Sequence, residues 1–395
     1  MSSRSFGPGT AGRAEAVPPT TAFRLGTRGS QLALWQANAV AARIADSGGP
    51  PCHIVVIKTS GDQLQQAPLS EVGGKRLFVK EIEDALLRDD IDLAVHSSKD
   101  MPAVLPAGLA IGGVLPREDP LDAVVLPVSV RLKADTTTVR ETDATTVSEA
   151  NTTIRGVRLP PSHAASADRR SLGGGGQPDP GSTIDDLVAA LGQSPSIGTG
   201  SVRRIAQLMR IFPAARFTPI RGNLDTRLRK LDAGEYDALV LAAAGLRRLG
   251  FASRIALRLP AAACVPAPGQ GIVAIEIRAS DNGAVQQAVA GIDDPEARAA
   301  LDAERALVAA LGGGCQTPVG ALASLVDDDT LELVAAVISL DGSRALRAHG
   351  RAPLREAAAL GARVGASLLA DGAGEILSEA HRSLNSQRTT LSPQP

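Results

Sequence analysis

The residues best placed to do chemistry are Lys99 and Asp100, which follow a short apolar run in IDLAVHSSKDMP, residues 91–102. One carboxylate beside cations is suited to stabilising a developing positive charge and to managing protons. An isolated Lys-Asp pair is more often a solvated turn, so the neighbouring motifs have to decide. Basic residues recur at three further points where an apolar run gives way to a polar turn. Arg203 and Arg204 lie in GTGSVRR, Arg221 and Arg227 in RGNLDTRLRKLD, and Arg247 and Arg248 in AGLRRLG. Together these junctions describe a basic cleft, and guanidinium forks match carboxylates and phosphates. Arg203 and Arg204 fall in the first turn of a helix, where the macrodipole prefers anions; a bound anion would relieve the conflict. Arg28 and Ser30 open another helix and make a ready anion site.

These residues need elements to hold them. Residues 91–95 read as a buried strand, and residues 77–88 carry helical spacing through Leu77, Phe78, Ile82 and Leu86. Helix, strand and polar loop make an α/β unit, whose ligands gather past the carboxyl ends of strands. A strand over 23–26 and a helix over 31–45 capped by Ser30 repeat the pattern. Further strands are expected near 53–57, 109–114, 123–126, 196–198, 216–220 and 238–241. Two proline-rich crossings, PREDP (116–120) and CVPAPGQG (264–271), suggest two lobes joined by a hinge. After a helix over 294–311, strands near 321–326, 331–340 and 343–350 and a helix over 353–370 make a small α+β unit. The fold expected is α/β: two lobes with a small α+β C-terminal domain. The boundaries expected are 22–117 with 270–290, then 118–266, then 292–385. Residues 1–21, the Thr/Ser/Gly-rich stretch 130–181 and the tail 386–395 read as disordered.

Composition narrows the function. The net charge of −1 and 2% aromatic content speak against nucleic acid. No run approaches a membrane span, and residues 1–21 lack the apolar core of a signal peptide, so a cytoplasmic protein is expected; a monomer is the expected form, although no motif sets the oligomeric state. Three scattered cysteines and five scattered histidines form neither a disulfide framework nor a metal pattern. Cys52 and Cys264 read as small core residues. Cys315, in GGGCQTPVG, is on spacing alone evenly balanced between that role and an accessible, modified thiol. No glycine fingerprint supports a nucleotide, since GTGSVR lacks the third glycine.

AVHSSKDMP, GGKRLFVKEIE, REDPLDA, GTGSVRR, RGNLDTRLRKLDAGEYDALVLAAAGLRRLG, PGQG and GGGCQTPVG, in this order, resemble the porphobilinogen deaminase (hydroxymethylbilane synthase) family. The resemblance spans residues 23–377 outside the 130–181 stretch. It implies two lobes like those of periplasmic binding proteins and a third domain carrying a dipyrromethane cofactor, bound through a thioether to Cys315. It also implies the reaction: porphobilinogen loses ammonia, and four units join head to tail on the primer to give a linear tetrapyrrole. Asp100 matches the family's catalytic carboxylate. Arg28, Ser30, Lys99, Asp100, Thr199, Ser201, Arg203, Arg204, Arg221 and Gly222 match cofactor-binding positions. Arg28, Lys75, Arg221, Arg227 and Arg248 match positions for the substrate's acetate and propionate groups. Glu71, Arg76, Ser98 and Gly200 depart from the family pattern. The rival reading is a non-catalytic two-lobed anion- or solute-binding module, which accounts for the hinge and the arginines but not for the third domain or GGGC.

Overall fold

The computed structural model describes residues 22–60, 79–130, 132, 182–281, 283–312 and 317–391. Lys75, Glu71 and Arg76, the Cys315 loop, residues 1–21 and nearly all of 130–181 lie outside the described residues.

Three sheets organise the chain. The first contains β1 (Phe23–Thr27), β2 (Cys52–Val56), β3 (Leu93–Ser97), β4 (Leu109–Val114) and β10 (Val273–Arg278), in the order β2–β1–β3–β10–β4. The second contains β5 (Asp122–Val125), β6 (Ser196–Gly198), β7 (Arg216–Thr218), β8 (Ala238–Ala242) and β9 (Leu257–Leu259), in the order β7–β6–β8–β5–β9. The two orders are the same. In each, three strands run parallel, β1 with β2 and β3, β6 with β7 and β8, so their carboxyl ends share one edge. In each, the fourth position is an antiparallel strand delivered by a crossing between the lobes, β10 in the first and β5 in the second. The crossings also pair with each other: Leu115 N–H donates to the Val273 carbonyl and Glu118 N–H to the Gly271 carbonyl. Gly271 has φ +90°, and a Cβ there would lie 2.2 Å from the Glu118 carbonyl oxygen, so only glycine lets the two segments meet.

Apolar periodicity explains why the helices cover these sheets. Ala37, Val40 and Ile44 of the helix Gln31–Asp46 pack on Leu25, Leu93, Val273 and Ile275. In the second lobe Leu208 and Phe212 cover Ile197 and Val240. Burying each Leu, Ile or Phe stabilises by about 1.5–3 kcal/mol. The expected helix over 77–88 is seen as Lys80–Leu87, with Leu77 and Phe78 outside the described residues.

The third domain is an antiparallel sheet, β11 (Val319–Leu325), β12 (Thr330–Ile338) and β13 (Ala345–Pro353), as the sequence pattern suggested. One face packs on the helices Pro295–Ala310 and Ala357–Ala370. The other sets Ala336 and Ile338 against Ala206 and Val265 of the second lobe and its crossing. The sequence reading missed the helix Ala284–Ala290, β9 and the last helix, Ala373–Leu391. That last helix runs through Leu391, so the tail expected to be disordered from residue 386 is helical to that point.

Glu304, fully buried on the helix Pro295–Ala310, fastens the third domain to both crossings. Its carboxylate accepts from Arg117 at 2.6 Å, from Gly269 N–H at 2.5 Å and from Ala323 N–H at 2.8 Å. Three donors on one buried carboxylate meet the condition for burying its charge.

Candidate active site

In the first lobe, β1 and β3 are parallel neighbours, so the loops leaving their carboxyl ends share one edge. Arg28 comes directly after β1, and Asp100 ends the single 3-10 turn Ser98–Asp100 after β3. Both line one pocket with Ser30, Gln36, His96 and Ser97. Arg28, Ser30 and Asp100 are therefore brought together as expected. Ser30 also caps its helix, its Oγ accepting from Ala33 N–H at 3.3 Å. Gln36 and His96 escaped the sequence reading. Gln36 Nε2 donates to Ser97 Oγ at 2.8 Å, and His96 pairs with Glu276 at 3.1 Å beneath the pocket.

The second lobe repeats the arrangement, with basic residues after β6, β7 and β8. Arg203 and Arg204 start the helix Val202–Leu208, capped by Ser201, whose Oγ accepts from Arg204 N–H; Thr199 Oγ1 accepts from Ser201 N–H. The conflict with the macrodipole is real, and a carboxylate of the fold answers it. Both side chains turn inward onto Asp122, the first residue of β5, which is fully buried. Arg203 Nη1 lies 2.6 Å from one carboxylate oxygen, and Arg204 Nε lies 2.9 Å from the other. Burial would raise the Asp122 carboxyl, but the two guanidinium groups overcome it and hold it far below the usual carboxylate range. Arg203 is further engaged by the Val265 carbonyl at 2.8 Å. Cys264 donates to Asp122, and burial pushes its thiol up to about 12, which makes it inert at neutral pH.

Arg221 and Arg227 flank the start of the helix Leu224–Asp232, with Gly222, at φ +102°, between them. The Gly222 carbonyl accepts from Arg227 Nε at 2.9 Å and aims that side chain. Burial, then Arg204 and Arg221, push Arg227 below the ordinary arginine range, while Asp100 works in the opposite sense. Lys99 shows the same crossing of influences. Lys99 is half-buried, and burial drives its ammonium down to about 8; Asp100 and Asp122 oppose the shift and Arg204 and Arg203 add to it. The acid loop of one lobe thus faces the arginines of the other across the hinge.

Arg248 is placed differently from the expectation. Its Nη2 donates to the Gly271 carbonyl at 2.6 Å, and its guanidinium carbon lies 5.4 Å from the Trp35 ring centroid. In this arrangement it is a strut between the second-lobe helix Ala243–Arg248 and the first-lobe helix Gln31–Asp46. Trp35 is the only tryptophan in the chain, so its fluorescence reports the contact. Arg248→Met should red-shift the emission as the ring gains exposure, with a stability loss of about 0.5–1 kcal/mol. An unchanged spectrum would show that the strut does not form in solution. Lys75 and Cys315 lie outside the described residues.

The sequence did carry a signal for Asp122: an acid heading an apolar strand, DAVVL, must be paired if the strand is buried. Gln270 had no such signal, because a glutamine in a Gly-rich crossing reads as solvated.

Two family models match. One described as "Porphobilinogen deaminase, dipyromethane cofactor binding domain" covers residues 23–154 and 182–286, and one described as "Porphobilinogen deaminase, C-terminal domain" covers 299–370. Porphobilinogen deaminase of Syntrophobacter fumaroxidans is 40% identical over 361 residues, 91% of this chain and 98% of that one. The protein of the same name from Geobacter metallireducens is 39% identical over 361 residues, 91% of this chain and 95% of that one. Among solved structures, substrate binding domain 2 of Lactococcus lactis GlnP aligns at 8% identity and TM-score 0.36, over 74% of this chain and 97% of that one. With both lobes and the third domain matched, and with relatives aligned over nearly their whole length, the chain belongs to the porphobilinogen deaminase family.

Proposed function

We propose that the chain joins four porphobilinogen units head to tail on a dipyrromethane primer held by Cys315, releasing ammonia and the linear tetrapyrrole hydroxymethylbilane. The observation that carries this reading is that Asp100 of the first lobe lies within electrostatic reach of Arg227 in the second, whose charge Arg204 and Arg221 oppose. The donor set fits a dipyrromethane: each pyrrole bears an acetate and a propionate, and Lys99 and Arg227, pushed down chiefly by burial, are cations whose charge a bound carboxylate would favour. When bound, the dipyrromethane supplies the free α-carbon that extends the chain.

The protein's own residues then have distinct tasks. Asp100 would stabilise the positive charge that develops on the substrate as its aminomethyl C–N bond breaks. Arg28, Arg221 and Arg227, with Lys99 and Lys75, hold carboxylates, each charge-assisted hydrogen bond contributing about 1.5–3 kcal/mol. Arg203 and Arg204 keep the second-lobe edge in place through Asp122. Ser30, Thr199 and Ser201 fix the helix starts on which the basic residues stand. The reading includes a cytoplasmic monomer without a nucleic-acid partner; no described helix is long and apolar enough to cross a membrane.

The test is the intact mass of the purified protein together with ammonia release from porphobilinogen. The wild type should carry a covalent adduct of dipyrromethane mass that Cys315→Ser lacks, and only the wild type should turn over. An unmodified wild-type chain that releases no ammonia would leave the binding-module reading standing instead.

A further inference from the structure

Gln270 has no task in the chemistry above, yet it lies where the parts of the site meet. It is 1% exposed and sits in the second crossing between the lobes. Its Nε2 donates to Asp122 Oδ1 at 3.0 Å and to the Pro120 carbonyl at 2.8 Å. Its Oε1 accepts from Lys99 Nζ at 3.4 Å. Its backbone is held as well: the carbonyl accepts from Arg117 Nε at 2.9 Å, and the N–H donates to the Ala267 carbonyl at 3.0 Å. Turning the amide over would set its NH2 against an ammonium and its oxygen against a carboxylate, so the surroundings fix its sense.

We propose that Gln270 is a positioning residue that couples the Asp122–arginine cluster of the second lobe to Lys99 beside Asp100 in the first. The proposal rests on the reading of the Lys99–Asp100 loop as part of the active site. An amide whose N–H groups face an anion and whose oxygen faces a cation favours the charged state of both. The groups acting on Lys99 are Asp100 and Asp122, which favour its charge, and Arg203 and Arg204, which oppose it; burial outweighs them. Lys99 therefore titrates just above neutral pH, where the loss of one hydrogen-bond acceptor changes its charge measurably. Because Gln270 lies in a hinge segment, lobe movement that displaces its amide also changes how Lys99 holds its proton.

The experiment is an NMR pH titration of the full chain labelled with ε-13C lysine, in the Cys315→Ser form that carries no dipyrromethane. There are six lysines, and the Lys99 signal is assigned by its absence in Lys99→Arg. Gln270→Met keeps the volume and removes the acceptor; Lys99 should then titrate lower by about half a pH unit or more. Gln270→Glu places a carboxylate at the same spot and should move Lys99 upward by a similar amount. An unmoved Lys99 in a Met variant that unfolds cooperatively overturns the proposal, as do shifts of the same sign in both variants. If only the Glu variant folds, an unchanged or lowered Lys99 overturns it alone. The titration needs no turnover, so a wild type that fails to release ammonia would strike the proposed function and leave the coupling to be judged on its own result.

Discussion

Asp100→Ala is expected to fold with wild-type secondary structure and cooperative unfolding, and to release ammonia from porphobilinogen about 10²–10⁴-fold more slowly. The fold should tolerate the change because Asp100 is partly exposed at the end of a three-residue turn and belongs to none of the apolar clusters. Turnover should not, because Asp100 is the carboxylate set among the pocket's cations, and Arg227 of the opposite lobe lies within its electrostatic reach. Removing it withdraws the charge that balances the cation forming on the pyrrole, while Arg227 still opposes that cation. Steady-state ammonia release, with circular dichroism as the folding control, checks this. Turnover within a few-fold of wild type would take Asp100 out of the mechanism.

Asp122→Asn should have the largest effect on stability, about 3–5 kcal/mol, because it strands two buried guanidinium groups. Arg203 and Arg204 are 4% and 8% exposed, and Asp122 is the carboxylate that both contact. The pH dependence has a definite sign. The folded carboxyl is held well below its unfolded value, so its stabilisation is fully present above about pH 4 and is lost only as pH falls from there through the folded value. The gap in unfolding free energy between wild type and variant should therefore be constant from about pH 5.5 to 7 in urea titrations, below the range in which Lys99 titrates. A gap under about 1 kcal/mol would show that the pair is not neutralised by Asp122 in the folded protein.

The elements were readable from the sequence because each carries a strong local signal. β6 was delimited residue by residue, and the helices from Ser30 and Ser201 begin at hydroxyl caps. The three Arg-bearing junctions were legible for a related reason, since strand ends and helix starts are local events. The partners of those arginines were not. Asp122 lies 81 residues from Arg203, and Gln270 lies 171 residues from Lys99. Such contacts depend on how two sheets and two crossings meet, and periodicity carries no information about that. Arg248 shows the same limit: its position on a helix end was clear, but its stacking on Trp35 depends on the lobes touching. The helix Ala284–Ala290 was missed because short Ala-rich runs have a weak apolar stripe.

The place of β10 in the middle of the first sheet, between β3 and β4, sets a timetable for biosynthesis. Translation reaches Val273–Arg278 only after the whole of the second lobe has been made, from Asp122 to Leu259. The later-made lobe closes its sheet from one continuous length of polypeptide, whereas the N-terminal lobe waits on the ribosome with a gap along β3. An open strand edge of that kind invites mispairing. The earliest part of the protein to leave the exit tunnel thus completes its sheet only after the second lobe has been made, and just ahead of the third domain.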